Sequence, residues 1–294
     1  MKNNIMVICI FILSASCRSQ AGKNVQHLNK LNKTVSVPGY NLSAPENTWQ
    51  LPSGLYEISG ITLIDSSHLL AIEDLHPTLY VIKLGKQAEI EKQIAFAKTD
   101  KEKFDIEDVA LAGTTAYALW SHGAIFKIQN WNTSPVVMTY TTRLTKAENP
   151  EGLCYDVATN SLLVACKNNS GDPASKKTDR AVYSFNLTSD TLDRNPALII
   201  YKKDLEALSG NKEEFFPSAI SIHPVTHEIY VLSSRGSKSL AVFSPEGKIK
   251  SLTYLDPNMF KQPEGICFGK DGSLFISSEG KHEQPAMLYK FTIK

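Results

Sequence analysis

Three glutamates stand at equivalent positions in recurring segments of the sequence. Glu107, Glu151 and Glu264 each come second in a short motif that runs into an apolar stretch. If the fold gathered them, carboxylates about 6 Å apart would repel each other by on the order of 3 kcal/mol per pair, at an effective dielectric of about 20. A hard divalent cation, a basic side chain such as Lys167 or Arg235, or proton uptake would each relieve this repulsion. We therefore treat the three glutamates as candidate metal ligands, with calcium as the candidate ion. The alternatives are pairing with basic side chains and carboxylates that turn toward solvent or backbone N–H groups.

Two serines occupy the same position in two further segments, so the pattern is a repeat. Ser59 and Ser218 complete a series whose intervals are 44 to 48 residues, apart from one interval of 67. Each of these five anchor residues is followed by a short apolar run, a turn and two or three further β-rich runs, and four antiparallel strands per repeat are typical of a propeller blade. We predict an all-β, five-bladed β-propeller over residues 38–294, with a short helix over 204–208 in the long repeat.

The last repeat reaches Lys294 after only three strands. The segment Tyr40 to Leu51 lies directly before the first repeat, where a further strand has no blade of its own. A ring is protected from edge-to-edge association only when every blade is complete. We expect this N-terminal segment to supply the outer strand of the last blade.

Propeller geometry places several polar side chains at one rim. The first and second strands of a blade are antiparallel, so the start of the first strand and the end of the second lie at the same mouth of the central channel. The anchor residues should line this mouth, surrounded by residues that end the second strands. The candidate rim and binding residues are Ser59, Glu73, Asp74, Lys167, Ser218, Arg235 and Glu279.

Catalytic chemistry has weaker support in the sequence. His122 could act as a general base at the rim, although a histidine beside a glycine is also common as a solvated turn residue. The acidic residues 73–74 and 105–108 could add metal ligands or an acid–base pair, or could cap tight turns. Gly-x-Ser-x-Gly, HExxH, Walker and GxGxxG patterns are absent from the sequence, which disfavours covalent catalysis and nucleotide binding.

The first 37 residues indicate an exported protein. Residues 1–16 combine Lys2, an apolar run from Ile5 to Leu13 and small residues, as in a secretory signal peptide, and nine apolar residues are too few to span a bilayer. Small residues directly before Cys17 resemble a bacterial lipoprotein processing site. This implies that Cys17 is lipidated and that residues 17–37 form a polar tether at the cell envelope. The alternative is a secreted protein whose discarded peptide includes Cys17.

Composition excludes several classes. Hydrophobic residues make up 42% of the chain, which argues against disorder, and 31 basic against 30 acidic residues give a net charge of +1. No block of basic charge suggests a nucleic-acid partner. Once Cys9 and Cys17 are set aside, three cysteines remain, and an odd number argues against a disulfide framework.

The order and spacing of six motifs over residues 47–294 resemble those of the SdiA-regulated family of bacterial exported propellers. The motifs are Trp49-Gln-Leu-Pro, Ile58-Ser-Gly-Ile, Ile106-Glu, Pro150-Glu-Gly-Leu, Pro263-Glu-Gly-Ile and Ser277-Ser-Glu. The resemblance implies a five-bladed propeller with a bound calcium ion and no settled activity.

Three functions are compatible with these observations. The first is a membrane-tethered, calcium-binding propeller that presents its rim to a small ligand or a protein partner. The second is a calcium-dependent hydrolase of the lactonase or phosphoesterase type, in which the ion polarises an ester or phosphoryl oxygen. The third is a carbohydrate or peptidoglycan binder, for which Trp120 is the candidate rim aromatic.

Overall fold

The structure is a computed structural model that describes residues 39–98 and 103–293. The predicted signal peptide, the lipidation site at Cys17 and the tether lie outside the described residues. Within them, the strands form five antiparallel sheets and residues 202–209 form an α-helix. The prediction of an all-β chain with five blades is confirmed.

The strands follow the order of the repeats. A first strand, β1 (Asn47–Gln50), precedes the blades, and a 3-10 turn (Ser53–Leu55) connects it to them. Blade I consists of β2 (Ile58–Leu63), β3 (His68–Glu73), β4 (Thr78–Leu84) and β5 (Ala88–Ala95). Blade II consists of β6 (Ile106–Ala112), β7 (Thr115–Trp120), β8 (Ala124–Gln129) and β9 (Val136–Thr141).

Blade III contains the insertion. Its strands are β10 (Pro150–Asp156), β11 (Ser161–Cys166), β12 (Arg180–Asn186), β13 (Thr191–Leu192) and β14 (Leu198–Ile200), of which the last two both pair with β12. The helix α1 (Lys202–Ser209) follows and covers the predicted helical segment. It ends at Gly210, whose φ of +69° is the left-handed conformation that commonly terminates helices.

The last two blades complete the ring. Blade IV consists of β15 (Pro217–Ile222), β16 (Ile229–Ser233), β17 (Ser239–Phe243) and β18 (Ile249–Tyr254). Blade V consists of β19 (Pro263–Phe268), β20 (Leu274–Ser278) and β21 (Met287–Phe291). The inner strands contact each other in the order β2, β6, β10, β15 and β19, and β19 contacts β2 again, so the ring is closed.

The N-terminal segment supplies the missing strand of blade V. The strand β1 pairs antiparallel with β21, from Asn47 opposite Lys290 to Gln50 opposite Met287. Before β1, the Tyr40 hydroxyl donates a hydrogen bond to the carbonyl of Gly272 at 2.5 Å and lies 3.1 Å from Nε2 of the buried His223. The prediction that this segment closes the ring is confirmed.

The hydrophobic core lies between the faces of adjacent blades. One cluster combines Leu70 and Ile72 of blade I with Val109, Ala118 and Phe126 of blade II. The second strand of blade IV, β16, with the sequence IYVLS, is buried at every residue, whereas the outer strand β5 is exposed at five of its eight residues. This gradient from axis to periphery fits sheets that pack on both faces near the axis and meet water outside.

Candidate functional site

Every inner strand begins with a β-bulge, and the extra residue is always the anchor residue. The strand pairing skips one residue between Ile58 and Gly60, and the same irregularity recurs in the other four blades. A bulge leaves one residue unpaired and redirects its side chain. The bypassed residues are Ser59, Glu107, Glu151, Ser218 and Glu264.

Four of the five anchor residues line one cavity of about 280 Å³ at the mouth of the channel. All the side chains that line it are polar. They are Ser59, Asp74, Asp105, Glu107, Asn149, Glu151, Lys167, Arg235, Gln262, Glu264 and Glu279. Six carboxyl groups face two basic groups, so the cavity would carry an excess of four negative charges if all were ionised.

The cavity contains most of the predicted rim residues but not all of them. Ser218 is buried beside it and donates a hydrogen bond to the carbonyl of Pro263 at 2.8 Å. The carboxylate of Glu73 points elsewhere, because it accepts the backbone N–H of Leu75 at 2.9 Å and lies 2.7 Å from Nδ1 of His76. Ser218 and Glu73 are therefore not among the residues that line this cavity.

The candidate general base also lies outside the cavity. His122 is exposed, and its ring packs at 4.8 Å from the ring of Trp120. Trp120 in turn packs against Phe104 at 5.2 Å, within the aromatic cluster between blades I and II. Neither residue is among those that line the channel mouth.

Two cavity residues have no counterpart in the sequence-based prediction. Asn149 and Gln262 line the site, and Asp105 joins them from the acidic run whose role was left open. All three stand two positions before an anchor residue. This constant spacing could have identified them from the sequence. The bulge at each anchor residue brings the residue two positions earlier to the same rim of the channel.

One part of the cavity is a buried ion-pair cluster around Lys167. The Lys167 ammonium contacts Oε2 of Glu151, and each residue is only 5% exposed. The side-chain amide of Asn149 donates to the other oxygen of Glu151 at 2.5 Å. Burial raises the pKa of Glu151 to about 7 against the opposing effect of Lys167. Burial acts to lower the pKa of Lys167, but Glu264, Glu151 and Glu107 together raise it above its ordinary value, so the ammonium stays charged.

The other part, which we call the acidic side, consists of Asp74, Asp105 and Glu279. Burial raises the pKa of Asp74 to about 6, helped by Glu57 and other carboxyl groups, and burial raises the pKa of Glu279 to about 8, helped by Glu264 and Asp74. Oδ1 of Asp74 is buried without a hydrogen-bond partner, whereas Asp105 accepts the Ser121 hydroxyl at 2.7 Å. Over residues 39–98 and 103–293, none of these three carboxyl groups forms an ion pair with a basic side chain.

The arrangement of the three anchor glutamates does not fit a calcium ion. Among the described residues, no group of three or more His, Cys, Asp or Glu side chains converges closely enough to hold a metal. One oxygen of Glu151 is occupied by Lys167 and the other by Asn149. Burial raises the pKa of Glu264 and of Glu107, and the charge of Lys167 opposes the increase in both. The positive charge of Lys167 therefore already acts on all three anchor glutamates.

The sequence matches the family model of SdiA-regulated proteins over residues 35–292. The chain belongs to the SdiA-regulated family. No curated protein matches the sequence. In the part of the chain that the structure describes, no helix is both long and apolar enough to span a membrane.

Solved structures resemble this SdiA-regulated propeller in fold. The crystal structure of Myxococcus xanthus glutaminyl cyclase has a TM-score of 0.56 at 12% identity, covering 85% of this chain and 97% of that one. Virginiamycin B lyase from Staphylococcus aureus has a TM-score of 0.45 at 12% identity, covering 84% and 73% of the two chains. At these identities the likeness concerns the fold alone.

Proposed function

We propose that this SdiA-regulated propeller is a binding module of the cell envelope that captures a positively charged group of its ligand at the acidic side of the channel mouth. The observation that carries the proposal is the set of Asp74, Asp105 and Glu279, three carboxyl groups that share one polar cavity without a basic partner among the described residues. The ligand is a small molecule or a side chain of a protein partner.

The carboxyl groups of the acidic side are partly buried and form no ion pair with a basic side chain of the described residues, so this side of the cavity should attract a positive charge. A buried carboxylate needs hydrogen-bond donors or a counter-charge, and Oδ1 of Asp74 has no hydrogen-bond partner in the structure. The pKa values of Asp74 and Glu279 are raised for the same reason, since burial and neighbouring carboxyl groups favour the protonated forms. A bound cation would supply the missing charge and displace protons.

The cavity limits the size and chemistry of the ligand group. Its volume of about 280 Å³ and its polar lining suit an ammonium group, a guanidinium group or a hydrated metal ion better than an apolar moiety. Positive charge is the shared chemistry of these candidates. Calcium stays a prediction. The acidic side would take it as a hydrated ion, because no three carboxyl groups of the described residues converge closely enough to coordinate a metal directly.

Binding is favoured over hydrolysis by the position of the candidate base. His122 is exposed and packs on Trp120 instead of facing the cavity, so a hydrolase would need another group to activate water. Lipidation of Cys17 would hold the module at the membrane through the tether of residues 17–37. A binding site on a tethered domain suits capture of a ligand in the envelope.

Calorimetric titration tests the proposal directly. The purified protein is titrated with CaCl₂, with MgCl₂ and with the diamine putrescine, in two buffers that differ in ionisation enthalpy. We expect at least one of the three to bind with release of protons. The variant Asp74→Asn/Glu279→Gln should bind it at least about tenfold more weakly, which corresponds to a loss of about 1.4 kcal/mol.

The matched control is Glu246→Gln, because Glu246 is an exposed acidic residue bonded to Ser244 away from the channel. This variant should bind as the unmodified protein does. Putrescine binding without calcium binding would identify an organic cation as the ligand group, and the reverse would identify a metal ion. Absence of binding by all three probes, or equal affinity in the double variant, would refute the proposal.

A further inference from the structure

We propose that Lys167 is the resident cation of the channel, with its ammonium group in the place that a divalent cation would otherwise hold among Glu107, Glu151 and Glu264. The inference concerns the anchor glutamates and goes beyond ligand capture at the acidic side. It stands whether or not a ligand binds there.

Local geometry brings Lys167 to this position. It directly follows β11, whose last residue, Cys166, pairs with Pro150 at the start of β10. The bulge at Glu151 redirects that side chain toward the axis from the adjacent strand of the same hairpin, so the two charged groups meet. The backbone N–H of Lys167 donates to the carbonyl of Asn149 at 2.9 Å, which fixes the lysine at the mouth.

The pair is buried and built into the core of the ring. Lys167 and Glu151 are each 5% exposed and Glu264 is 7% exposed. A lysine is almost never this buried unless it is paired, because desolvation of the ammonium group is costly. The long stem of Lys167 therefore delivers a charge that three glutamates from three different blades require.

The charge of Lys167 acts on all three anchor glutamates. Burial raises the pKa of Glu107, Glu151 and Glu264, and Lys167 opposes the increase in each case. The other basic residue of the cavity, Arg235, is exposed and forms no ion pair within the described ranges. Lys167 is thus the buried positive charge around which the glutamates are arranged.

A covalently attached cation has a consequence for metal binding. One ammonium group occupies Oε2 of Glu151 and repels a second cation, so the anchor glutamates exclude calcium while Lys167 is present. Removal of Lys167 should leave three carboxyl groups, two of them buried, with only the exposed Arg235 as a basic neighbour in the cavity. Such a set should then take up a hard divalent cation with oxygen ligands.

The experiment compares Lys167→Met with the unmodified protein and with Lys127→Met. Lys127 is a matched control because it is also partly buried and paired, with Asp190 at 3.1 Å, but lies on β8 away from the channel. Thermal unfolding is measured in EDTA and in CaCl₂, and bound calcium is counted by equilibrium dialysis. We expect Lys167→Met to bind one more calcium ion than the unmodified protein. Its Tm should rise by about 5 °C more when calcium is about 100 times its Kd.

Two further variants keep the test decisive. Lys167→Arg retains the charge and should show the calcium response of the unmodified protein. Lys167→Met/Glu151→Gln removes both members of the pair, should fold in EDTA and should lose the additional calcium ion. An unchanged calcium count in Lys167→Met overturns the inference, and so does its failure to fold in calcium while the double variant folds.

Discussion

Oδ2 of Asp108, on the inner strand of blade II, accepts the backbone N–H of Leu153, on the inner strand of blade III, at 2.7 Å. Oδ1 of the same carboxylate accepts the N–H of Val109 at 2.8 Å, and the residue is 2% exposed. Asp108 is therefore a brace between two blades, and neither a metal ligand nor a turn cap. The equivalent positions in the other blades are held by Gly60, Gly152, Ala219 and Gly265.

Gly60 is the position where this brace leaves no room for a side chain. A Cβ atom on Gly60 would lie 2.1 Å from Oδ1 of Asp108 and 2.6 Å from its Cα. We expect Gly60→Ala to lower the free energy of unfolding by about 2 to 3 kcal/mol, through overpacking and displacement of a buried carboxylate. Denaturant unfolding measures the change. Gly54→Ala is the control, because its Cβ would meet only Ile90 at 3.8 Å, and an equal loss in both variants would contradict the explanation.

Stability should fall as pH rises from about 5 to about 8. The pKa values of Asp74, Glu151 and Glu279 are raised to about 6, 7 and 8, chiefly by burial, whereas the unfolded chain releases these protons near pH 4. Between about pH 4 and pH 8 the folded state therefore binds more protons than the unfolded state. The stabilisation is therefore complete below pH 4 and is lost as pH rises through the folded-state values.

Denaturant unfolding at pH 5, 6, 7 and 8 measures this slope. The variant Asp74→Asn/Glu279→Gln cannot exchange two of the protons, so its stability should depend less steeply on pH. A cation that binds the acidic side should also flatten the slope, because it holds the carboxyl groups ionised. Identical slopes in the variant and the unmodified protein would show that these groups do not control the dependence.

Loss of β1 should expose a strand edge on blade V. A chain that begins at Leu51 lacks the partner of β21 and also the indole of Trp49, which donates to the carbonyl of Gly85 of blade I at 2.9 Å. We expect Tm to fall by at least about 5 °C, since a loss of 2 to 3 kcal/mol corresponds to this range at about 250 residues. Unpaired edges also promote association.

Size-exclusion chromatography with light scattering and thermal unfolding provide the readouts. A chain that begins at Gly39 retains β1 and serves as the control. If the two truncated chains have the same Tm and the same mass in solution, ring closure by β1 contributes nothing measurable.

Membrane association should depend on one cysteine. Cys17→Ser removes the thiol that the predicted lipidation requires, so the protein should move from the membrane fraction to the soluble fraction. Cys9→Ser is a matched control, because Cys9 lies within the apolar run of the predicted signal peptide. Immunoblotting of the fractions reports the distribution, and continued membrane association of Cys17→Ser would rule out Cys17 as the anchor.

The ring could be predicted from the sequence because its repeat is regular. The five anchor residues mark the five inner strands, and the incomplete last repeat indicated that Tyr40 to Leu51 closes blade V. The convergence of Glu107, Glu151 and Glu264 on one cavity followed from the same pattern. A repeat shows which residues are equivalent in the five blades, and equivalent residues must lie at the same height and distance from the axis of the ring.

The direction of individual side chains could not be predicted in this way. Glu73 is the last residue of β3 and Asp74 follows it, but successive side chains of an extended chain point to opposite sides, and only Asp74 lines the cavity. The pairing of Lys167 with Glu151 depends on a bulge and on the reach of a long side chain. The sequence favoured a calcium ion and left pairing with a basic group open as an alternative, and the structure places the Lys167 ammonium group against Glu151.

The fixation of Tyr40 ahead of β1 would have a mechanical consequence if, as predicted, lipidation of Cys17 holds the protein by its N-terminal end. Any pull transmitted along the tether reaches Tyr40 first, and the bonds of its hydroxyl to Gly272 and His223 lie on blades V and IV rather than on β1. Such a pulling force would then be shared by two blades before it could separate β1 from β21. The propeller would keep its channel mouth intact under forces that drag on the envelope surface.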